Sequence, residues 1–286
     1  MKQRSYFTFI IIILTLLSLA CSTLRELANV QKPLVTLDKM QITGLSFENI
    51  SFKFDVGVDN PNNLSVKLAG FEYDFQLNDQ SFIQGKQQQD VLIEAQSKST
   101  VDVPITLEYS NIYSNYKNLE NLDSSSYQLN LGLFFDIPVL GKTKIPVTTK
   151  GNFPLIKLPS IKISSLKLNN LNFTSANLTL NLNFNNPNPI GLVLNNIDYT
   201  LTVNGNNWIS GASEKSQRIN KSSANILEIP IQLNFMQLGQ TAYSIISGNS
   251  MLEYTLNGFV NIGGDNSLLQ NRDISLNQSG VLQITK

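Results

Sequence analysis

Asn60-Pro61-Asn62 returns 126 residues later as Asn186-Pro187-Asn188, and its neighbours return with it. At the same offset Tyr73 meets Tyr199, Gly85 meets Gly211, Pro104 meets Pro230 and Leu107 meets Leu233. Residues 60–107 align with 186–233 without a gap, and 13 of the 48 positions are identical. A register held over that length, with Gly falling on Gly and Pro on Pro, means one fold present twice. The chain of 286 residues is too long for one ordinary core and suits two domains of about 120 residues each.

Composition limits what those domains can do. The chain is 42% hydrophobic and 15% charged, the balance of a chain that folds and not of a disordered one. Basic and acidic residues are equal at 21 each, so nothing here offers the basic surface that a nucleic-acid backbone demands. Histidine is absent and cysteine occurs once, at Cys21. That removes the commonest general base, the Ser-His and Cys-His nucleophile systems, Cys/His metal sites and any disulfide within the chain. No cofactor or metal is expected.

Residues 1–20 read as an export signal. Lys2 and Arg4 supply the positive end, and Tyr6 to Leu17 is an apolar run too short for the roughly 20 residues that span a bilayer. Ser18 and Ala20 then lead to Cys21. This arrangement resembles the lipobox of bacterial lipoproteins, although Ser18 stands where Leu is usual. The resemblance implies cleavage before Cys21 and its acylation, which places the protein in a bacterial cell envelope, on the periplasmic or surface face, held to the membrane by lipid. The alternative is an ordinary signal cut after Ser22. The lipoprotein reading is favoured because a free cysteine in an exported chain is otherwise odd. Residues 21–40 then form a tether.

Strand signals dominate the remainder. Phe52, Phe54, Val56 and Val58 alternate with Ser51, Lys53, Asp55 and Gly57, the period of a half-buried strand. The alternation slips at Ala69-Gly70, which predicts a bulge. Asn78-Asp79 and Asn204-Gly205 hold matching hairpin-turn positions. One segment per copy changes period: Ile112, Tyr116 and Leu119, and again Leu238, Ala242 and Ile245, share a helical face. The expected fold is mainly β: two tandem Ig/fibronectin-III-like antiparallel β-sandwiches of about seven strands, each with one short α-helix. They should cover residues 41–157 and 158–286, with Pro154 and Pro159 stiffening the joint.

Val58-Asp59-Asn60-Pro61-Asn62, Gly70-Phe71-Glu72-Tyr73, Asp102-Val103-Pro104-Ile105 and Pro138-Val139-Leu140-Gly141 form an ordered series. It resembles the late embryogenesis abundant type 2 family, whose unit is the water-stress and hypersensitive-response domain. The second copy keeps Asn186-Pro187-Asn188, Asp198-Tyr199 and Glu228-Ile229-Pro230 but lacks the Pro-Val-Leu-Gly segment, which puts its last hairpin in question. The resemblance implies a compact sandwich, a part in desiccation, cold or salt tolerance, and no catalytic residue.

Each motif also has a plain structural reading. The Asn-Pro-Asn segments could be recognition loops, but Asn that caps its own backbone beside a fixed Pro φ is ordinary turn chemistry, and that reading is favoured. Pro104 and Pro230 within strand patterns point to an edge strand or a bulge; an open edge could accept a client strand, but protection against pairing is the favoured role. Glu72, Asp74, Glu94 and Asp102 are candidates for calcium or acid–base work, yet the second copy has Asp198 but Thr200, and Glu228 but Asn220, so no dense set of oxygen ligands repeats, and calcium takes six to eight oxygens. Trp208, aligned with Phe82, reads as core. The leading function is a membrane-anchored, non-catalytic stress-protective or envelope interaction module. The alternative is an envelope lipoprotein that binds lipid, glycan or protein at a sheet edge or inter-domain groove.

Overall fold

The computed structural model describes residues 29–248 and 251–285. The leader and Cys21 lie outside the described residues. In the first repeat the alternating segments become seven strands. β1 (Leu34–Leu45), β2 (Asn49–Asp59) and β5 (Lys98–Glu108) form one sheet in the order β1-β2-β5. β3 (Val66–Leu77), β4 (Gln80–Ile93), β6 (Ser124–Ile137) and β7 (Gly141–Pro154) form the other, in the order β4-β3-β6-β7. β1 begins at Leu34, so residues 34–40 of the expected tether are strand.

The apolar faces of these sheets meet. Phe52, Phe54, Val56 and Val58 are fully buried, while the residues between them are half-buried. Phe52 lies 5.8 Å from Phe75, Phe75 stacks on Tyr127 at 5.1 Å, and Phe153 meets Phe52 edge-on at 5.6 Å. Ring pairs in these geometries contribute about 0.5–1.5 kcal/mol each beyond the area they bury.

The second repeat has the same order. β8 (Ser160–Leu171), β9 (Ser175–Asn186) and β13 (Ser223–Asn234) stand where β1, β2 and β5 stood. β10 (Leu192–Val203), β11 (Asn206–Ser213), β14 (Met251–Gly264) and β15 (Arg272–Thr285) give β11-β10-β14-β15. The place of the single long β4 is shared by β11 and the short β12 (Gln217–Ile219), both paired with β10. Two parallel pairings, Ile284 with Leu166 and Thr285 with Lys167, join β15 to β8 and make one continuous eight-stranded sheet. The last hairpin is present: β14 pairs with β15 from Met251–Gln283 to Ile262–Arg272. Leu178, Leu180 and Leu201 stand buried here where Phe52, Phe54 and Phe75 stood in the first repeat.

Local signals act where the sequence places them. Asn78 and Asp79 (φ 49° and 60°) and Asn204 and Gly205 (φ 48° and 77°) close equivalent two-residue hairpins of the type whose twist matches the strands. The β3 register shifts between Leu68 and Gly70. β5 and β13 are edge strands, and Pro104 and Pro230 sit exposed on them without breaking a ladder.

The helices depart from one per copy. α1 (Tyr109–Asn115) is followed by a 3-10 turn (Lys117–Asn121), so Leu119 is buried from that turn and not from a continuing helix. In the second repeat Gly239, at φ 83°, breaks the segment into α2 (Phe235–Leu238) and α3 (Gln240–Ser247). The buried face of α3 is Ala242 with Ile246, one position past Ile245.

By contact the chain divides into two compact units. Among the described residues, 29–42, 51–106 and 124–153 make the first; 43–50, 107–123, 154–248 and 251–285 make the second. The repeat boundary at 157/158 therefore differs from the packing boundary. Hydrogen bonds explain part of this. Within the second unit Tyr109 Oη donates to Pro154 O at 2.8 Å, Tyr113 Oη donates to Ile156 O at 3.0 Å, and Leu155 N donates to Asp123 O at 3.0 Å.

Candidate functional site

The repeated Asn-Pro-Asn segments close β2 and β9, and their asparagines turn inward. Asn60, Asn186 and Asn188 are wholly buried and Asn62 is 5% exposed. Asn62 N donates to Asn60 Oδ1 at 3.1 Å across Pro61, an Asx turn whose middle φ the proline fixes. Asn60 Nδ2 donates to Leu64 O (2.9 Å), Ile93 O (3.3 Å) and Glu94 O (2.9 Å), tying three main-chain carbonyls to one amide. Asn186 repeats this with Ile190 O and Asn220 O at 2.9 and 3.0 Å.

The second asparagine of each motif reaches further. Gln31 N donates to Asn62 Oδ1 at 2.7 Å, and Asn62 Nδ2 donates to Gln31 O at 2.9 Å. Lys157 N and O make the same two bonds with Asn188, at 2.7 and 2.9 Å. In each case the clasped residue lies 31 positions earlier. The side-chain amide thus acts as a one-residue strand partner for the chain entering each sandwich. The main chain of the same residue accepts from Gln96 N in one copy and Ser222 N in the other, both at positive φ (51° and 46°). Gln31 and Lys157 belong to no motif read from the sequence. The signal for them was the match of Pro33 with Pro159, which carries the offset of 126 upstream.

Tyr73 and Tyr199 are the cross-strand partners of Gly85 and Gly211. Each ring lies over its glycine, so a Cβ at Gly85 would enter the Tyr73 ring and one at Gly211 would stand 2.9 Å from Tyr199 Oη. An aromatic ring covering a bare strand glycine restores the packing that the glycine gives up. Tyr254 pairs with Gly280 in the same way, and Tyr127 covers Gly151. Burial raises the pKa of Tyr199 and Tyr127. It raises Tyr109 strongly, and Tyr113 to about 12, with Glu120 adding to the effect at Tyr113.

Gly85 and Gly132 line a trough of ≈ 630 Å³ on β4-β3-β6-β7, walled by Glu72, Tyr73, Asp74, Lys86, Asn130 and Lys144. Glu72 pairs with Lys144. Lys86 and Lys144 flank Phe134, 5.1 and 5.9 Å from its centroid. Burial alone would raise the pKa of Asp74, but hydrogen bonds from Ser81, Gln76, Gln84 and Asn130 hold it below the usual carboxylate range. The second repeat has a trough of ≈ 420 Å³ at the equivalent address, walled by Asp198, Tyr199, Thr200 and Phe259 and without lysine.

The other carboxylate candidates are dispersed. Glu94 accepts from Ser65, and Asp102 pairs with Lys53 at 3.5 Å. Among the described residues no three His, Cys, Asp or Glu side chains gather as a metal site would require. Trp208 is 6% exposed and belongs to the core. Among the described residues no helix is long and apolar enough to cross a membrane.

Comparison with known proteins agrees with the duplication. The family model described as late embryogenesis abundant protein matches residues 55–151 and again 181–279. A desiccation-related protein of Arabidopsis thaliana is 31% identical over 135 residues, which span 47% of this chain and 80% of that protein. The late embryogenesis abundant protein Lea14-A of Gossypium hirsutum is 27% identical over 135 residues, 47% of this chain and 87% of its own length. The solution structure of an Arabidopsis thaliana late embryogenesis abundant protein aligns with 51% of this chain and 85% of that one, at 27% identity and a TM-score of 0.38.

Proposed function

The chain belongs to the late embryogenesis abundant family of type 2, and on that premise we propose that it is a membrane-anchored, non-catalytic module that protects its host's envelope during desiccation or osmotic stress. The anchor is lipid on Cys21, and the site of action is the bacterial cell envelope. The observation that carries the reading is the fate of the repeated residues. Asn60, Asn62, Tyr73 and their second-copy equivalents are used up in internal bonds and ring–glycine packing. What the duplication preserves is thus a folded scaffold and not a constellation aimed at a substrate. The polar outer faces, rich in Asn, Gln and Ser, would keep water and spacing around envelope partners as the solvent is lost. Deleting the gene tests this: survival after drying or hyperosmotic shock should fall, and recover with the wild-type chain. Unchanged survival of the deletion strain would refute it.

A second reading, an envelope lipoprotein that binds a ligand or partner, is favoured by one feature. The trough beside Tyr73 recurs beside Tyr199. Saturable binding of an envelope glycan, abolished by filling the trough with Gly132→Trp, would support it; no binding to an envelope glycan array would remove it.

A further inference from the structure

We propose that the end of the first compact unit that carries the chain's lead-in is a membrane-contacting tip, built to seat its apolar residues in the interfacial layer of the lipid bilayer. This rests on the anchored reading above and adds an orientation to it. The tip is formed at the loop between β6 and β7. Leu140 N donates to Pro138 O at 2.8 Å, and Val139 between them has φ 70°, the positive-φ γ-turn that is rare and strained. A β-branched residue almost never takes that φ, because its Cβ substituents crowd the backbone. The strain presents apolar groups to the outside: Val139 is 70% exposed and Leu140 45%. Strain held at an exposed position, with no packing gained in return, is the mark of a position kept for use.

Register places two further exposed leucines near it. Lys67 of β3 pairs with Asp136 on one side and with Leu92 on the other. Leu92, 60% exposed, therefore stands two strands from the end of β6. Asn60 binds the carbonyls of Ile93 and Glu94 beside it, and Asn62 clasps Gln31, three residues before Leu34, which is 63% exposed. The clasp thus fixes the chain's entry to the same end as the γ-turn.

The occupant follows from where the chain goes. Cys21 precedes Gln31 by ten residues, a span of at most about 36 Å when fully extended. A lipid at Cys21 holds this end, and not the opposite one, within that distance of the bilayer. Apolar side chains kept so close to a bilayer partition into its interface, where each buried methylene contributes about 0.8 kcal/mol.

The test uses the acylated full chain on vesicles of phosphatidylethanolamine and phosphatidylglycerol. A nitroxide is placed at Leu140→Cys or, as a control, at Gln80→Cys, an exposed side chain of the same unit at the other end of the β3-β4 pair. The label at 140 should be open to oxygen and shielded from a water-soluble nickel chelate, and the label at 80 the reverse. In a third chain labelled at Leu92→Cys, adding Val139→Gly with Leu140→Ser should move that label towards water. Val139→Gly relieves the positive φ, so a raised thermal midpoint would show that the fold is kept. A chain that binds the vesicles with position 140 in water overturns the tip and leaves the anchor standing. A chain that does not bind at all overturns both. Equal depth at 140 and 80 means adsorption without orientation, and shielding at 140 in the absence of vesicles means self-association; either overturns the tip.

Discussion

Replacing Asn60 should unfold more of this protein than the loss of one surface amide has any right to do. Its Nδ2 is the donor for Leu64 O, Ile93 O and Glu94 O, and its Oδ1 accepts from Asn62 N and Nδ2 at 3.1 and 2.9 Å. The residue is wholly buried, so water does not replace it. Asn60→Ala removes two amide donors shared among three carbonyls and the acceptor of Asn62 N, at about 1 kcal/mol each, and leaves carbonyls without a partner, an expected loss of about 3–4 kcal/mol. For a unit of this size that lowers the thermal midpoint by on the order of 10 °C. Asn60→Asp keeps the shape but turns a carboxylate oxygen towards three carbonyl oxygens. Its cost at neutral pH should exceed that of alanine, since an unpaired buried charge is the worst case. The sign of its pH dependence follows. The folded chain raises the pKa of the introduced carboxyl above the unfolded value of about 3.9, so the penalty is absent below that value. It grows as the pH rises, until the folded pKa is passed. Urea titrations of wild type, Asn60→Ala and Asn60→Asp at neutral pH and near pH 4 measure all of this, with the exposed Asn177→Ala as reference. Asn60→Ala within about 0.5 kcal/mol of wild type, the usual scatter of surface changes, would refute the structural role of the Asn60 amide and return the motif to recognition.

Other consequences can be checked alongside. Val139→Gly should stabilise the first unit by about 1 kcal/mol, seen as a higher melting midpoint, because the new residue takes φ 70° without strain. Gly70→Ala should destabilise by more than Gly141→Ala in the same urea titration: both glycines have positive φ, but a Cβ at Gly70 would enter the main chain at Gln87, whereas at Gly141 it would meet nothing within 4 Å. The raised pKa of Tyr113 and Tyr109 predicts alkaline sensitivity. The unfolded chain ionises near pH 10 and the folded Tyr113 only near 12, so stability is intact below about pH 10 and falls as the pH rises through that window. Tyrosinate absorbance read against circular dichroism would follow it, and a flat stability across that window would contradict the burial argument. Cys21→Ser should release the mature chain from the membrane fraction, and its retention there would contradict a lipid anchor.

Much of the fold is legible in the sequence because its causes are local. Alternation over Ser51–Val58 fixes which face of β2 is buried; Gly70 marks the bulge; Asn78-Asp79 fixes a hairpin by φ alone. The features that were not legible depend on distant partners. Nothing near Asn62 announces that its amide binds the main chain of Gln31, since a side chain bonded to a peptide group leaves no trace in that residue's type. Gly239 reads equally well as a tolerated helix residue or as the break it is. The joint of β15 to β8 rests on two pairings of main-chain groups between residues more than a hundred positions apart. The packing boundary differs from the repeat boundary because Tyr109 and Tyr113 bind carbonyls at Pro154 and Ile156, and tyrosine at a helix start carries no record of its hydroxyl's target.

Survival after drying bears most directly on the account. A deletion strain would be complemented with the wild-type chain, with Cys21→Ser, or with Asn62→Ala and Asn188→Ala together. Wild type should restore survival, while the unanchored chain and the chain with both clasps broken should not. A deletion strain that dries and recovers as well as its parent, or full rescue by the broken-clasp chain, would contradict a folded, anchored protectant.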